Sequence, residues 1–148
     1  MDSQLWQDAL LGATNEAFDA LEGQSWYEGL LPTLEHLDAD MASRTSAAGR
    51  SSIAAHCEHL RYVLEVMNAW TRGERPEIDW AQSWQHVTVT PEGWDALRTA
   101  IRDEGNRLEV ALRERSEWTQ RFAQLAINNV AHIAYHVGAI RQLLLQVR

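Results

Sequence analysis

Two histidines four residues apart, His132 and His136, are the residues of this sequence best suited to chemistry. In a helix, residues i and i+4 lie on adjacent turns with their Cβ atoms roughly 6 Å apart. Both imidazoles can therefore reach one metal ion at nitrogen–metal distances of ~2.1 Å. Two ligands do not complete a metal site, so a third ligand must come from another helix.

A second pair of histidines, His56 and His59, precedes this pair in the chain. On a helical wheel His56 lies at the middle of an apolar stripe, and His59 lies about 60° to one side. We expect His56 to complete a metal site with His132 and His136. Three neutral imidazoles leave coordination positions open for water or substrate, as in catalytic zinc sites. The alternative is that these histidines are hydrogen-bonded core residues that bind no metal.

Four long amphipathic segments are predicted to position these side chains, because apolar residues recur in them every three or four residues. The first covers residues 4–21, the second ends near Gly73, and the fourth runs nearly to Arg148. Their predicted starts are Ser51 or Ser52 as cap of the second helix, Thr90 as cap of the third, and Ser116 or Glu117 for the fourth. Residues 24–50 predict one or two short helices inside a long connection, and residues 73–90 form a second connection. The pattern predicts an all-α four-helix bundle with two long connections, in one domain over residues 1–148.

The charge of the chain argues against nucleic acid as a partner. Its 148 residues include 13 basic and 21 acidic side chains, for a net charge of -8, so a phosphate backbone would be repelled.

The single cysteine, Cys57, and the absence of a signal-peptide pattern at the first residues predict a cytoplasmic protein. Residues 122–140 lack charged side chains, but they include His132 and His136 and three amide side chains, which are costly in a bilayer. We therefore expect no membrane span.

The sequence resembles the DinB-like superfamily of metal-binding four-helix bundles, which includes bacillithiol- and mycothiol-dependent transferases. The resemblance lies in HIAYHVGAIRQL at residues 132–143 and SIAAHCEHL at residues 52–60, with Trp80 and Trp84 in the second connection. It implies a divalent metal, zinc or nickel, bound by His56, His132 and His136.

The chain departs from the pattern of that superfamily at two points. Ala139 stands where glutamine is frequent, and the presence of both His56 and His59 leaves the ligand from the second helix ambiguous. His59 and Tyr135 are expected to support the ligands through contacts. Whether His59 replaces or supports His56 stays open at this point.

These observations predict a metal-dependent enzyme that acts on a small molecule, with a thiol-dependent S-transferase or a hydrolase as the reaction class. Its partner would be a low-molecular-weight thiol, bound in a pocket near Trp80, Trp84 and Tyr135. No catalytic residue is assigned, although Glu58 or His59 could serve as a base. The alternative is a non-catalytic metal- or ligand-binding stress-response bundle.

A homodimer is also predicted, from a side of the fourth helix that carries small and apolar residues and no charge. That side comprises Ile127, Ala131, Ala134 and Gly138.

Overall fold

The computed structural model describes residues 3–85 and 88–147, and within them the chain is all-helical. Six α-helices and one short 3₁₀ helix occur in this part, without a β-strand, which confirms the predicted all-α class. None of these helices has both the length and the apolar character needed to cross a bilayer. The elements are α1 (Ser3–Asp19), α2 (Leu30–Glu35), α3 (Ala39–Ser43), α4 (Ile53–Thr71), the 3₁₀ helix (Gln82–Trp84), α5 (Pro91–Arg113) and α6 (Gln120–Val147).

Side-chain caps start two of the long helices where the sequence predicts them. The Ser52 hydroxyl accepts a hydrogen bond from the Ala55 backbone N–H at 3.1 Å and starts α4. The Thr90 hydroxyl accepts from the Gly93 N–H at 3.1 Å and starts α5, with proline as its first residue. After α4, Gly73 has a φ of 80°, a conformation that favours glycine.

The start predicted for the fourth helix, Ser116 or Glu117, is wrong, since α6 begins at Gln120. Two contacts outside the helix hold the preceding turn. The Trp118 indole N–H donates to the Arg115 carbonyl at 3.2 Å, and the Thr119 hydroxyl accepts from the Phe122 N–H at 3.2 Å. Thr119 therefore caps the helix. At the other end α6 reaches Val147, and residue 148 lies outside the described residues.

The four long helices pack side by side around one core. Helices α1 and α4 each pack along both α5 and α6. Apart from Leu30 and Leu34 of α2, the largest fully buried side chains come from α4, α5 and α6: Ile53, Leu60, Leu64, Trp94, Ile101, Leu108, Leu112, Ile133, Val137 and Ile140. Because α4 lies against α6, the face that carries His56 and His59 meets the face that carries His132 and His136.

The connection between α4 and α5 folds back onto α4. The backbone N–H of Asp79 donates to the Tyr62 hydroxyl at 3.0 Å. The Asp79 carboxylate then accepts from the N–H groups of Ala81 (3.0 Å) and Gln82 (3.3 Å). This local turn leads into the 3₁₀ helix, which packs against α4 and carries Ser83 and Trp84 to the histidines.

Candidate metal centre

Four histidine rings meet between α4 and α6. The Nε2 atom of His132 lies 3.2 Å from Nε2 of His59 and 3.0 Å from Nε2 of His136. One ring nitrogen from each of these three histidines lies within 4.8 Å of the other two. His56 contacts the cluster from the opposite side of the His136 ring, where the two Nδ1 atoms are 2.8 Å apart. Three histidines thus lie close enough together to hold a metal ion.

The spacing of the three Nε2 atoms fits a metal site. In tetrahedral or octahedral coordination with metal–nitrogen bonds of ~2.1 Å, neighbouring ligand nitrogens are ~3.0 to ~3.4 Å apart. The two observed separations, 3.0 and 3.2 Å, agree with these values. A neutral imidazole has one N–H and one lone pair, so His132 Nε2 cannot form good hydrogen bonds to both neighbours with its one proton. A metal ion that accepts one lone pair from each ring would satisfy these close nitrogen contacts.

Ser83 fixes the tautomer of His59. The Ser83 hydroxyl donates its proton to the Trp80 carbonyl at 2.7 Å, and its oxygen lies 2.7 Å from His59 Nδ1. Because that proton is already used, the oxygen accepts a hydrogen bond from His59 Nδ1–H. The lone pair of His59 is therefore on Nε2, the atom that faces His132. Hydrogen-bonded partners of this kind orient metal-binding histidines.

His56 is placed to do the same for His136. One of the two Nδ1 atoms, 2.8 Å apart, must donate to the other. If the proton of His136 is on Nδ1, that N–H donates a hydrogen bond to His56 Nδ1. The lone pair of His136 then lies on Nε2, beside His132. A neutral imidazole has one lone pair. His136 therefore cannot have a lone pair on Nδ1, facing His56, and another on Nε2, facing His132. The sequence-based set with His56 as ligand stays a prediction that mutants must test, and the geometry favours His59.

Two buried polar atoms in this region have no hydrogen-bond partner among the described residues: His132 Nδ1 and the side-chain oxygen of Asn129. Both residues lie on α6, three positions apart. His132 therefore lacks the orienting partner that His59 and His136 have, and the i, i+4 spacing to His136 is what positions its ring.

Burial keeps the cluster uncharged. Desolvation, together with the smaller repulsion from neighbouring imidazoles, lowers the pKa of His136 to about 3 and that of His59 to about 4. Desolvation also lowers the pKa of His56 and of His132. All four rings are neutral at pH 7, which is the form of histidine that binds metals.

Aromatic side chains enclose one side of the cluster. Trp84 stacks on His59 with ring centroids 4.3 Å apart and an interplanar angle of 19°. Trp80 lines a cavity of about 340 Å³ together with His59 and His132. Tyr135 is 69% exposed, and its ring makes only an edge contact with His136, at 5.1 Å between centroids. Of the three aromatic residues expected around the pocket, Trp80 is the one that lines this cavity.

Within the part of the chain that the structure describes, no general base is evident beside the cluster. The Glu58 carboxylate forms an ion pair with Arg61, with contacts of 2.9 to 3.2 Å. Cys57 is fully buried, and burial raises the pKa of its thiol, so it is not a reactive nucleophile in the folded chain.

Ser83 is the residue of the site that the sequence did not single out. A serine in a connection carries no signal of its own, because its contact with His59 depends on the turn that Asp79 starts.

Comparison of the chain with protein-family models, curated proteins and solved structures finds no match. The resemblance to the DinB-like superfamily therefore stays a prediction.

Proposed function

We propose that this chain is a DinB-like four-helix bundle that binds one divalent metal ion, zinc or nickel, through Nε2 of His59, His132 and His136. The observation that carries the proposal is the convergence of these three nitrogens at 3.0 and 3.2 Å. The hydrogen bond that leaves the His59 lone pair on Nε2 supports it. In this assignment His56 accepts a hydrogen bond from His136 and orients its ring.

The substrate in this proposal is a small molecule, specifically a low-molecular-weight thiol that the protein transfers to an electrophile. Three neutral protein ligands leave positions for an exogenous group. A divalent metal at such a site supplies the positive charge that favours a thiolate or hydroxide near neutral pH. The adjoining cavity, at about 340 Å³, has the volume of a small-molecule site.

The chain's own residues bind the substrate and exclude water in this proposal. Val63, Met67 and Trp80 line the cavity beside the histidines with apolar surface. Asn128 and Asn129 line the same cavity and supply amide groups for hydrogen bonds. Among the described residues we assign no acid–base residue.

Metal content tests the first part of the proposal. Untagged protein equilibrated with zinc or nickel is expected to retain about one ion per chain by elemental analysis. The His132→Ala variant is expected to retain none and to keep its helical circular dichroism. Untagged wild-type protein that stays free of metal after equilibration would end the proposal.

Thiol binding tests the second part. Cobalt-loaded protein titrated with cysteamine is expected to gain a thiolate-to-cobalt absorption band, and a panel of thiols and electrophiles then tests for turnover. Metal retention without any spectral change or turnover would favour the alternative of a non-catalytic metal-binding bundle.

We also propose that two chains form a homodimer through the outer side of α6. Ile127 is 45% exposed, and Ala131 and Gly138 are exposed beside it. A Cβ atom at Gly138 would meet nothing within 4 Å, so a partner helix could approach closely there.

A further inference from the structure

A second cavity, of about 480 Å³, adjoins the cavity beside the histidines. The two cavities share Trp70 and Leu125 as lining residues. Because the two cavities share these side chains, they are neighbours, and a ligand longer than either one could extend from one into the other.

Three arginines line this second cavity, and we call it the arginine pocket. Arg75 follows α4, Arg115 lies between α5 and α6, and Arg121 is in the first turn of α6. The described residues that line the arginine pocket include no Asp or Glu.

The three guanidinium groups have no ion pair among the described residues. In the same part of the chain, seven other arginines pair with a carboxylate. Carboxylates are not scarce, because the net charge is -8. Two arginines elsewhere, Arg50 and Arg102, also form no ion pair among the described residues. This pocket differs because three such guanidinium groups line one cavity, and a cluster of this kind attracts anions.

Arg115 is held in place within the pocket. The carbon of its guanidinium group lies 3.5 Å from the centroid of the Phe122 ring. Its Nε atom is buried and has no hydrogen-bond partner among the described residues. A buried donor without an acceptor costs free energy, and an anionic oxygen bound there would recover it.

We propose that the arginine pocket binds the carboxylate or phosphate end of an elongated small molecule, whose other end lies beside His59 and His132. The part that concerns the histidines rests on the proposed function. Along α6, Arg121 and His132 are separated by roughly 16 Å of helix, and the long arginine side chain shortens the span. The two side chains that the cavities share, Trp70 and Leu125, are largely apolar. The ligand class is therefore an anion with an extended apolar or neutral middle.

Calorimetric titration of the metal-free protein with octanoate, octyl phosphate and octanol tests the anion site without the metal. We expect at least one of the two anions to bind about tenfold more tightly than octanol, with a preference that falls as salt rises. The better of the two anions identifies carboxylate or phosphate as the preferred group. Equal affinity for octanol and both anions would overturn the proposal.

Two arginine variants provide the specific test. Arg75→Gln and Arg121→Gln are each expected to weaken binding of the preferred anion by about threefold to tenfold and to leave octanol binding unchanged. Arg50→Gln is the control, because it removes the same charge at an exposed position outside the pocket. Arg50 precedes the first residue of α4, whereas Arg75 follows its last. Anion binding that responds equally to all three variants would reject the pocket.

Cobalt-loaded protein separates this proposal from the proposed function. We expect a thiolate band with both ω-mercaptooctanoate and ω-mercaptooctanol, at lower concentration with the carboxylate. If neither thiol gives a band while octanoate binding still depends on Arg75 and Arg121, the thiol function fails and the anion site stands. If both thiols give the band at equal concentration, the thiol function stands and the anion site fails.

Discussion

Substitution of His56 and His59 decides which of them binds the metal, and the structure gives different expectations for each. The Nε2 atom of His59 lies beside Nε2 of His132, whereas the polar contact of the His56 ring is with Nδ1 of His136. His59→Ala removes a ligand, and His56→Ala removes a hydrogen-bond acceptor. The two changes should therefore differ in size and in whether a substitute side chain can restore binding.

The size of each effect follows from the role of the side chain. Structural zinc sites are worth about 10–16 kcal/mol over four ligands, or about 3 kcal/mol for each ligand. Since about 1.4 kcal/mol is a factor of ten in affinity, His59→Ala should weaken zinc binding by about 100-fold or more. Loss of a residue that orients a ligand typically costs about 10- to 100-fold, and we expect His56→Ala to fall near 10-fold.

Asparagine at position 56 separates the two roles more sharply than alanine. The Asn side-chain oxygen occupies nearly the position of His Nδ1, so it can accept the hydrogen bond from His136 Nδ1–H. His56→Asn should therefore recover zinc affinity to within about threefold of the wild type. An amide is a poor substitute for an imidazole as a zinc ligand, so no recovery is expected if His56 binds the metal itself.

Competition with a chromogenic zinc chelator at neutral pH measures these affinities. His36→Ala is the matched control, because His36 is an exposed histidine at the end of α2, outside the cluster. Circular dichroism of each variant shows whether the fold is intact. If His59→Ala retains wild-type affinity, while His56→Asn loses as much as His56→Ala, the ligand set is His56, His132 and His136 and the tautomer argument is wrong.

Four further predictions follow from the same geometry. Metal-free protein should lose stability as pH falls from 6.5 toward about 4, because folding lowers the pKa values of His59 and His136 and the unfolded chain takes up protons first. Urea midpoints that stay constant over this range would contradict this expectation. Ser83→Ala should weaken zinc binding by about tenfold by freeing the His59 tautomer, whereas Ser83→Thr, which keeps the hydroxyl, should not, as the chelator competition measures. Cys57 should react with a thiol reagent such as Ellman's only after unfolding, and rapid reaction of native protein would show that burial does not protect it. Light scattering should show a dimer of the wild-type chain at micromolar concentration. Gly138→Arg should be a monomer, because it puts charge and bulk on the open side of α6. A monomeric wild type would reject the dimer.

Helical periodicity and capping residues were sufficient to predict the all-α class and the starts of two long helices. Ser52 and Thr90 start helices where the sequence places them, since both residues combine a capping hydroxyl with a following apolar stripe. The start of α6 was missed because Ser116 and Thr119 are both acceptable caps. The choice of Thr119 depends on the turn in which Trp118 bonds to Arg115, which no helical pattern reports.

The histidine site was predictable as a face but not in its ligands. Positions 56 and 59 are about 60° apart on a helical wheel, so both lie on the face of α4 that meets α6. Periodicity cannot choose between them. Ser83 settles the tautomer of His59, and it reaches that ring through a turn in the connection that Asp79 stabilises. Contacts of this kind are long-range in sequence and have no repeating pattern.

Charge distinguishes the arginine pocket from the cavity beside the histidines, the two ends of the proposed ligand site. The imidazoles are neutral at pH 7 because burial lowers their pKa, so the cluster itself contributes no positive charge to the metal-free protein. The unpaired guanidinium groups of Arg75, Arg115 and Arg121 then supply the positive potential at this end of an acidic chain. An anion should therefore bind at the arginines whether or not a metal is present. Added salt should weaken that contact, whereas a chelator should affect only the end that contains the histidines, because the two ends depend on different interactions.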